Sequence, residues 1–175
     1  MAFFPDLSRY AYSAGDAAGL AELNAGWLLP GHPFPTGKPS EKHLDLLWSF
    51  CKVHVCQTRG FEVCHFCTAG YSPVYQRGDE YQMLGSAEIR LFHPDGIAFA
   101  APNLIYHYVA DHHYAAPEVF LDALDGGPQP CSEEHLRLLG TLGREWMQAA
   151  AFDAEEAGRL AKGFGQRVFA HGGLE

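Results

Sequence analysis

Residues 61–67, FEVCHFC, place two cysteines three positions apart, and a chain carrying that turn has few ways to fold around it. Cys64 and Cys67 can act as a redox couple, close as a disulfide, or offer two thiolates to a metal ion. A redox pair belongs at the start of a helix after a buried strand. Here "TAGYSPV" follows, and it cannot continue as a helix. A disulfide across two residues closes a very small loop. Five cysteines in 175 residues is an odd and sparse count that suits a reducing compartment. The metal reading is favoured, and zinc held by two thiolates takes two more nitrogen or sulfur ligands.

"YHYVADHH" supplies candidates for the second half of such a site. In a regular helix, five steps at about 100° each leave His107 and His112 roughly 140° apart. Sharing an ion therefore requires the last turn to tighten or end, which "ADHHYAAP" allows before Pro117. His113, one step further, is the alternative fourth ligand. A cysteine knuckle, a β-hairpin and a helix ending in histidines follow the order of small ββα zinc modules. The 39 residues between Cys67 and His107 embed the site in a larger domain. Four protein ligands would make it structural; three ligands and a water would make it catalytic, with Glu88 as the candidate base. His65 and Asp111 are candidates for orienting the ligands.

The rest of the chain reads as mixed elements. Residues 15–40 hold the Pro- and Gly-rich "GWLLPGHPFPTGKPS" and must be loop, with Trp27 and Phe34 anchoring it. Ser40 can start a helix through about Val53 whose buried face is Leu44, Leu47, Trp48 and Cys51. "SAEIRLF" and "IAFAA", joined by the turn "HPDG", predict a β-hairpin. Pro102 and Pro117 open two further helices, the second stopping at Gly126. After the linker "GGPQP", Ser132 caps a helix bearing Leu136, Leu139, Leu142 and Trp146. Asp153 and Glu156 have capping-box spacing for a final helix through about Phe169.

Net charge is −9, and the excess acid follows residue 60. Between Arg90 and Arg137 there is no Lys or Arg, whereas Asp95, Asp111, Glu118, Asp122, Asp125, Glu133 and Glu134 all fall there. Such a surface repels phosphate backbones, so nucleic acid is an unsuitable partner and a basic protein a suitable one. No run of about 18 apolar residues is present to span a membrane. The start, "MAFFPDLSRYAYSAGD", lacks the features of a secretory signal, so a cytoplasmic location is expected. No phosphate-binding loop, G-x-S-x-G, G-x-G-x-x-G or H-E-x-x-H occurs. Arg59 is a lone cation near the cysteines that could bind an anion or pair with Glu62.

Four stretches, "HPFPTG", "QTRGFEVCHFC", "LGSAEIR" and "APNLIYHYVADHHYAAPEVF", carry a resemblance. Over roughly residues 24–124 the chain resembles an uncharacterised family of small bacterial domains. Its pattern is T-R-G-x-x-x-C-x-F-C, then G-x-A-E-I-R, then A-P-x-L-I-Y-H-Y-V-x-x-H-x-Y-x-P. The resemblance implies Cys64, Cys67, His107 and His112 as the metal ligands and leaves His113 outside. It includes Arg59 and Glu88 in the shared framework, and Glu62 stands where the pattern has a histidine. No reaction comes with it.

The expected architecture is α+β: a small β-hairpin or sheet with a zinc knuckle, packed with several helices. Residues 1–125 are expected to form the zinc-stabilised core, and 131–175 a C-terminal helical hairpin packed on it. The expected function is protein–protein interaction, immunity- or antitoxin-like, with a basic partner. The alternative is a zinc-dependent hydrolase or lyase using Glu88.

Overall fold

The computed structural model describes residues 2–12, 20–67, 74–149, 154–163 and 168–170. In chain order its first elements are β1 (Ala21–Asn24), α1 (Glu41–Phe50), β2 (Val53–Val55), β3 (Val74–Arg77) and β4 (Glu80–Met83). Then come β5 (Glu88–Phe92), β6 (Ile97–Pro102), α2 (Ile105–His112) and α3 (Glu118–Gly126). The last are α4 (Glu133–Leu142), β7 (Trp146–Gln148), α5 (Ala154–Gly163) and β8 (Val168–Ala170). The class is α+β, with five helices and two small sheets among the described residues.

The expected hairpin is the centre of the larger sheet, whose strand order is β1-β6-β5-β2-β7. β5 and β6 pair antiparallel with Leu91 opposite Phe99 and Arg90 opposite Ala100. The "HPDG" turn closes with the His93 N–H and the Ile97 carbonyl at 2.8 Å, and Gly96 takes φ 83°, which glycine adopts without penalty. Alternation then sorts the side chains. Ile89, Leu91, Phe99 and Ala101 join the main core with Leu44, Leu47, Tyr106, Tyr108 and Phe120. On the other face Phe92 and Ala98 meet Leu139 and Leu142, while Ala100 meets Tyr10 and Trp27. Trp27 anchors its loop as expected, donating Nε1–H to the Ala100 carbonyl at 3.0 Å.

Residues 21–24, inside the stretch expected to be loop, form β1, paired parallel with β6. Four further differences from the sequence reading have physical causes. First, α1 ends at Phe50 rather than near Val53, because Val53, His54 and Val55 are drawn into strand β2. Ser40 occupies the N-cap position with extended dihedrals but its side chain makes no capping bond. Second, Pro102 closes β6 rather than opening a helix, and α2 begins three residues later. Third, α4 is capped as expected, with Ser132 accepting from His135 N–H at 3.2 Å, but Gly143 stops it in a left-handed cap at φ 63°. Trp146 consequently lies in β7, paired with Val55 of β2, so the two C-terminal helices are separated by a strand rather than joined as a simple hairpin. Fourth, residues 168–170 are strand β8, parallel to β3, where the final helix was expected to continue. Asp153, part of the expected capping box, lies outside the described residues, as do residues 15–19 of the expected loop and 68–73 after the knuckle.

The polar residues of β5 carry a buried charge network. Arg90, 1% exposed, donates Nε–H to Glu22 at 2.9 Å and Nη1–H to Glu88 at 2.7 Å. Arg144 donates to the other Glu22 oxygen at 2.6 Å, and the Tyr10 hydroxyl lies 2.8 Å from Glu88 Oε2. Two positive and two negative groups thus neutralise one another against the face opposite the main core.

His135 seals one end of this face. Its Nε2 lies 3.0 Å from the Arg90 carbonyl, and its ring packs edge-on against Phe50 and Phe92. Burial lowers its pKa more than the bond to the Arg90 carbonyl raises it. The folded state therefore favours neutral imidazole, and its contribution is intact above the unfolded value near 6.5 and lost as pH falls below it. Urea unfolding across that range should show stability dropping with acidity by up to about 1.4 kcal/mol per pH unit from this group. His135→Gln, which retains an N–H donor, should flatten the slope; an unchanged slope would contradict the assignment.

Candidate metal centre

The chain around Cys64 is held by its neighbours on both sides. The Glu62 N–H bonds the Gly85 carbonyl at 2.7 Å, and the Gly85 N–H bonds Asn103 Oδ1 at 2.7 Å. Gly85 sits at φ 103°, and a Cβ there would lie 2.2 Å from the Glu62 carbonyl oxygen, so only glycine permits this approach. Between the cysteines, Phe66 packs against Phe34, Tyr108 and His112 with ring centroids 5.4, 5.9 and 5.4 Å away. The knuckle is thereby pinned onto the last turns of α2.

That helix solves the angular problem of the histidine spacing by widening, not tightening. The N–H of His113 bonds the Tyr108 carbonyl five residues back, the wide turn that characterises π-type closure. His113 itself adopts the left-handed conformation at φ 54° and is exposed. The chain therefore turns away at His113 and leaves His112 beside His107, with ring centroids 4.8 Å apart and nearly perpendicular planes.

The result is four donor atoms around one point. His107 Nε2 and His112 Nε2 are 3.1 Å apart. Cys64 Sγ lies 3.2 Å from His112 Nε2, and Cys67 Sγ lies 3.3 Å from His107 Nε2 and 3.5 Å from His112 Nε2. All four lie within 4.8 Å of one another and could hold a metal ion. Cys64 and His107 are fully buried, while Cys67 and His112 are partly so. All five cysteines are unbridged, so no disulfide competes for the sulfurs.

The electrostatics of the cluster point the same way. Burial, and then the neighbouring Cys64, push the Cys67 thiol up to about 12. Burial and His112 pull His107 down to about 3, and burial with His113 lowers His112. Left to themselves the imidazoles are neutral, which is the ligating form. A cation at the centre would reverse the penalty on the Cys67 thiol and release its proton.

Beyond the donors, Asp111 Oδ2 sits 3.1 Å from His107 Nδ1, one helical turn along α2. The Tyr75 hydroxyl lies 2.6 Å from the same nitrogen and also bonds Asp111. Asp111, expected to orient a ligand, contacts His107 rather than the adjacent His112. Tyr75 escaped the sequence reading, since nothing local links β3 to a helix more than thirty residues away. His65, the other candidate for an orienting role, pairs with Glu62 at 3.0 Å. Replacing Asp111 with Ala should weaken metal binding about 10- to 100-fold by freeing the His107 ring. Competition with a chromogenic chelator measures it, and unchanged affinity would remove Asp111 from the account.

Residues 2–125 match the family model described as a domain of unknown function, DUF7919. The chain belongs to the DUF7919 family. No curated protein and no solved structure matches it. The DUF7919 match contains all four donors, Asp111 and Tyr75 and ends near the close of α3. Within this DUF7919 chain the structure brings Cys64, Cys67, His107 and His112 together and leaves His113 out. It also separates Glu88 from them. Glu88 alternates with Ile89 on β5, and its carboxylate is engaged by Arg90 and Tyr10 on the face opposite the main core that contains Cys64. Arg59 is exposed, and Glu62, its expected partner, bonds His65.

Proposed function

We propose that this chain is a zinc-stabilised domain that acts by binding another protein with a basic surface, in the manner of an immunity or antitoxin protein. The observation that carries the reading is the closed donor set. Two sulfurs at about 2.3 Å and two nitrogens at about 2.0–2.1 Å from a tetrahedral zinc lie roughly 3.3–3.8 Å from one another. Four of the six donor pairs here are 3.1–3.5 Å apart, within that range or slightly below it, and all six lie within 4.8 Å. Four protein ligands leave zinc no position for water, so the ion would contribute folding energy and no chemistry. Unbridged cysteines fit the reducing conditions of a cytoplasm. No helix among the described residues is long and apolar enough to cross a membrane.

The acidic segment supports the choice of partner. Glu118 and Asp122 stand one turn apart on α3, Glu133 and Glu134 open α4, and all four are exposed. The disposition of Glu88 disfavours the hydrolase or lyase reading, because a general base must reach the metal-bound water. To test the binding reading, the tagged protein is used as bait in the cells that make it, beside a variant carrying Lys at positions 118, 122, 133 and 134. A basic protein retained by the parent, eluted by salt and absent from the charge-reversed bait is the expected result. Recovery of nothing, or of the same protein by both baits, would contradict it.

A further inference from the structure

β7 is the last strand of the larger sheet, and among the described residues nothing pairs with its outer edge. The opposite edge is covered. There the N-terminal segment runs along β1, with the Tyr10 N–H on the Glu22 carbonyl at 2.9 Å and the Asn24 N–H on the Ser8 carbonyl at 2.8 Å.

The register fixes which backbone groups of β7 face outward. The Cys56 N–H bonds the Glu145 carbonyl at 2.9 Å, the Ala149 N–H bonds the Lys52 carbonyl at 2.8 Å, and Met147 stands opposite His54 between them. Backbone groups alternate in direction along a strand, so Glu145, Met147 and Ala149 are turned to β2. Trp146 and Gln148 are turned away, and each presents an N–H and a C=O at the open edge. The usual protections of such an edge are lacking, because the strand contains no Pro and no charged residue. Its side chains are open as well. Trp146 is 40% exposed, and Met147, at 53%, is the most exposed of the large apolar side chains described.

We propose that this edge pairs with β7 of a second copy of the chain, antiparallel about a two-fold axis at Met147. That axis sets Trp146 against Gln148 of the second copy, and each of the two such pairs exchanges both of its backbone bonds. It is the register in which every outward group of the strand meets another. Met147 crosses its own counterpart, so the most exposed apolar side chain is covered. Glu145 falls opposite Ala149 rather than opposite itself, and no like charges face each other across the strands. A foreign peptide could use the same groups but would first have to be ordered, whereas a second β7 is already extended. The contact is small. A three-residue strand covers less than the roughly 1,200 Å² of a stable specific interface, so the dimer is a weak one, with a dissociation constant of about 10–500 µM.

Sedimentation velocity of the metal-loaded chain from about 5 to about 500 µM tests this range. Reducing conditions keep the exposed Cys131 from cross-linking copies. A reversible rise from monomer toward dimer is expected. Gln148→Pro removes two of the four inter-copy bonds and leaves the ladder to β2 intact, so it should weaken association about tenfold or more. Met147→Lys and Met147→Glu should each do the same by setting like charges across the axis, and an equimolar mixture of the two should associate again. All three positions are exposed or at the open edge, so circular dichroism and metal content should match the parent. A parent that stays monomeric throughout, a Gln148→Pro chain that associates like the parent, or a mixture no better than its separate components would overturn the proposal. None of these readouts depends on a basic partner.

Discussion

Replacing Cys64 with serine is expected to empty the metal centre and lower the melting temperature by roughly 8–16 °C. The magnitude follows from linkage. An ion present at about a thousand times its dissociation constant adds about 4 kcal/mol to the folded state. For a domain of this size each kcal/mol moves the midpoint by about 2–4 °C. The penalty is smaller than in isolated fingers, which are unfolded without metal, because the main core here joins Cys64 to more than twenty other buried side chains that hold no ion. His107→Ala should behave alike, and so should the parent after exhaustive chelation. His113→Ala is the control: exposed and outside the donor cluster, it should keep its metal and its melting point. Loss of stability in the Cys64 variant without loss of metal would separate the knuckle from the ion.

Arg90→Met is expected to cost about 3–5 kcal/mol by a different route, with the metal retained. Methionine fills much of the volume but leaves Glu22 and Glu88, both about 5–6% exposed, without their shared cation. Water cannot reach them to compensate, and removing one member of a buried pair leaves the other's desolvation unpaid. Lys52, by contrast, meets Glu80 at 2.5 Å on the surface, where both are substantially exposed. Lys52→Met should change stability by less than about 1 kcal/mol. Adding Glu88→Gln to Arg90→Met should recover part of the loss. Urea denaturation of the parent and these three variants decides this; a surface-like cost for Arg90→Met would mean that the network is solvated.

Much of the site was legible before any coordinates. Cys-x-x-Cys spacing, the apolar residue between the sulfurs and the later histidines each have a local signature. The order of knuckle, hairpin and helix then limits where those histidines can go. The faces of β5 followed from alternation alone, since Ile89 and Leu91 must share a face. That alternation also placed Glu88 and Arg90 together on the other side, which bears directly on whether Glu88 could act at the metal.

What escaped depends on contacts that no local pattern encodes. The widened last turn of α2 is imposed by packing of Phe66 and by the left-handed His113, not by a helix-breaking residue. Tyr75 reaches His107 only because β3 returns to the helix after a long excursion. At the C-terminal end, Leu136, Leu139 and Leu142 set a helical period that Trp146 extends in the sequence. Gly143 ended the helix instead, and β2 offered an edge that Trp146, Met147 and Gln148 could pair with. Helix caps by glycine compete with periodicity, and here the cap prevailed.

The proposed centre is tested most directly by metal analysis with X-ray absorption on protein purified without chelators and under reducing conditions. One zinc per chain, with two sulfur neighbours at about 2.3 Å and two nitrogen neighbours at about 2.0 Å, is the predicted result. Protein that carries no ion at full stability, or in which Cys64 and Cys67 are joined to each other, would contradict it.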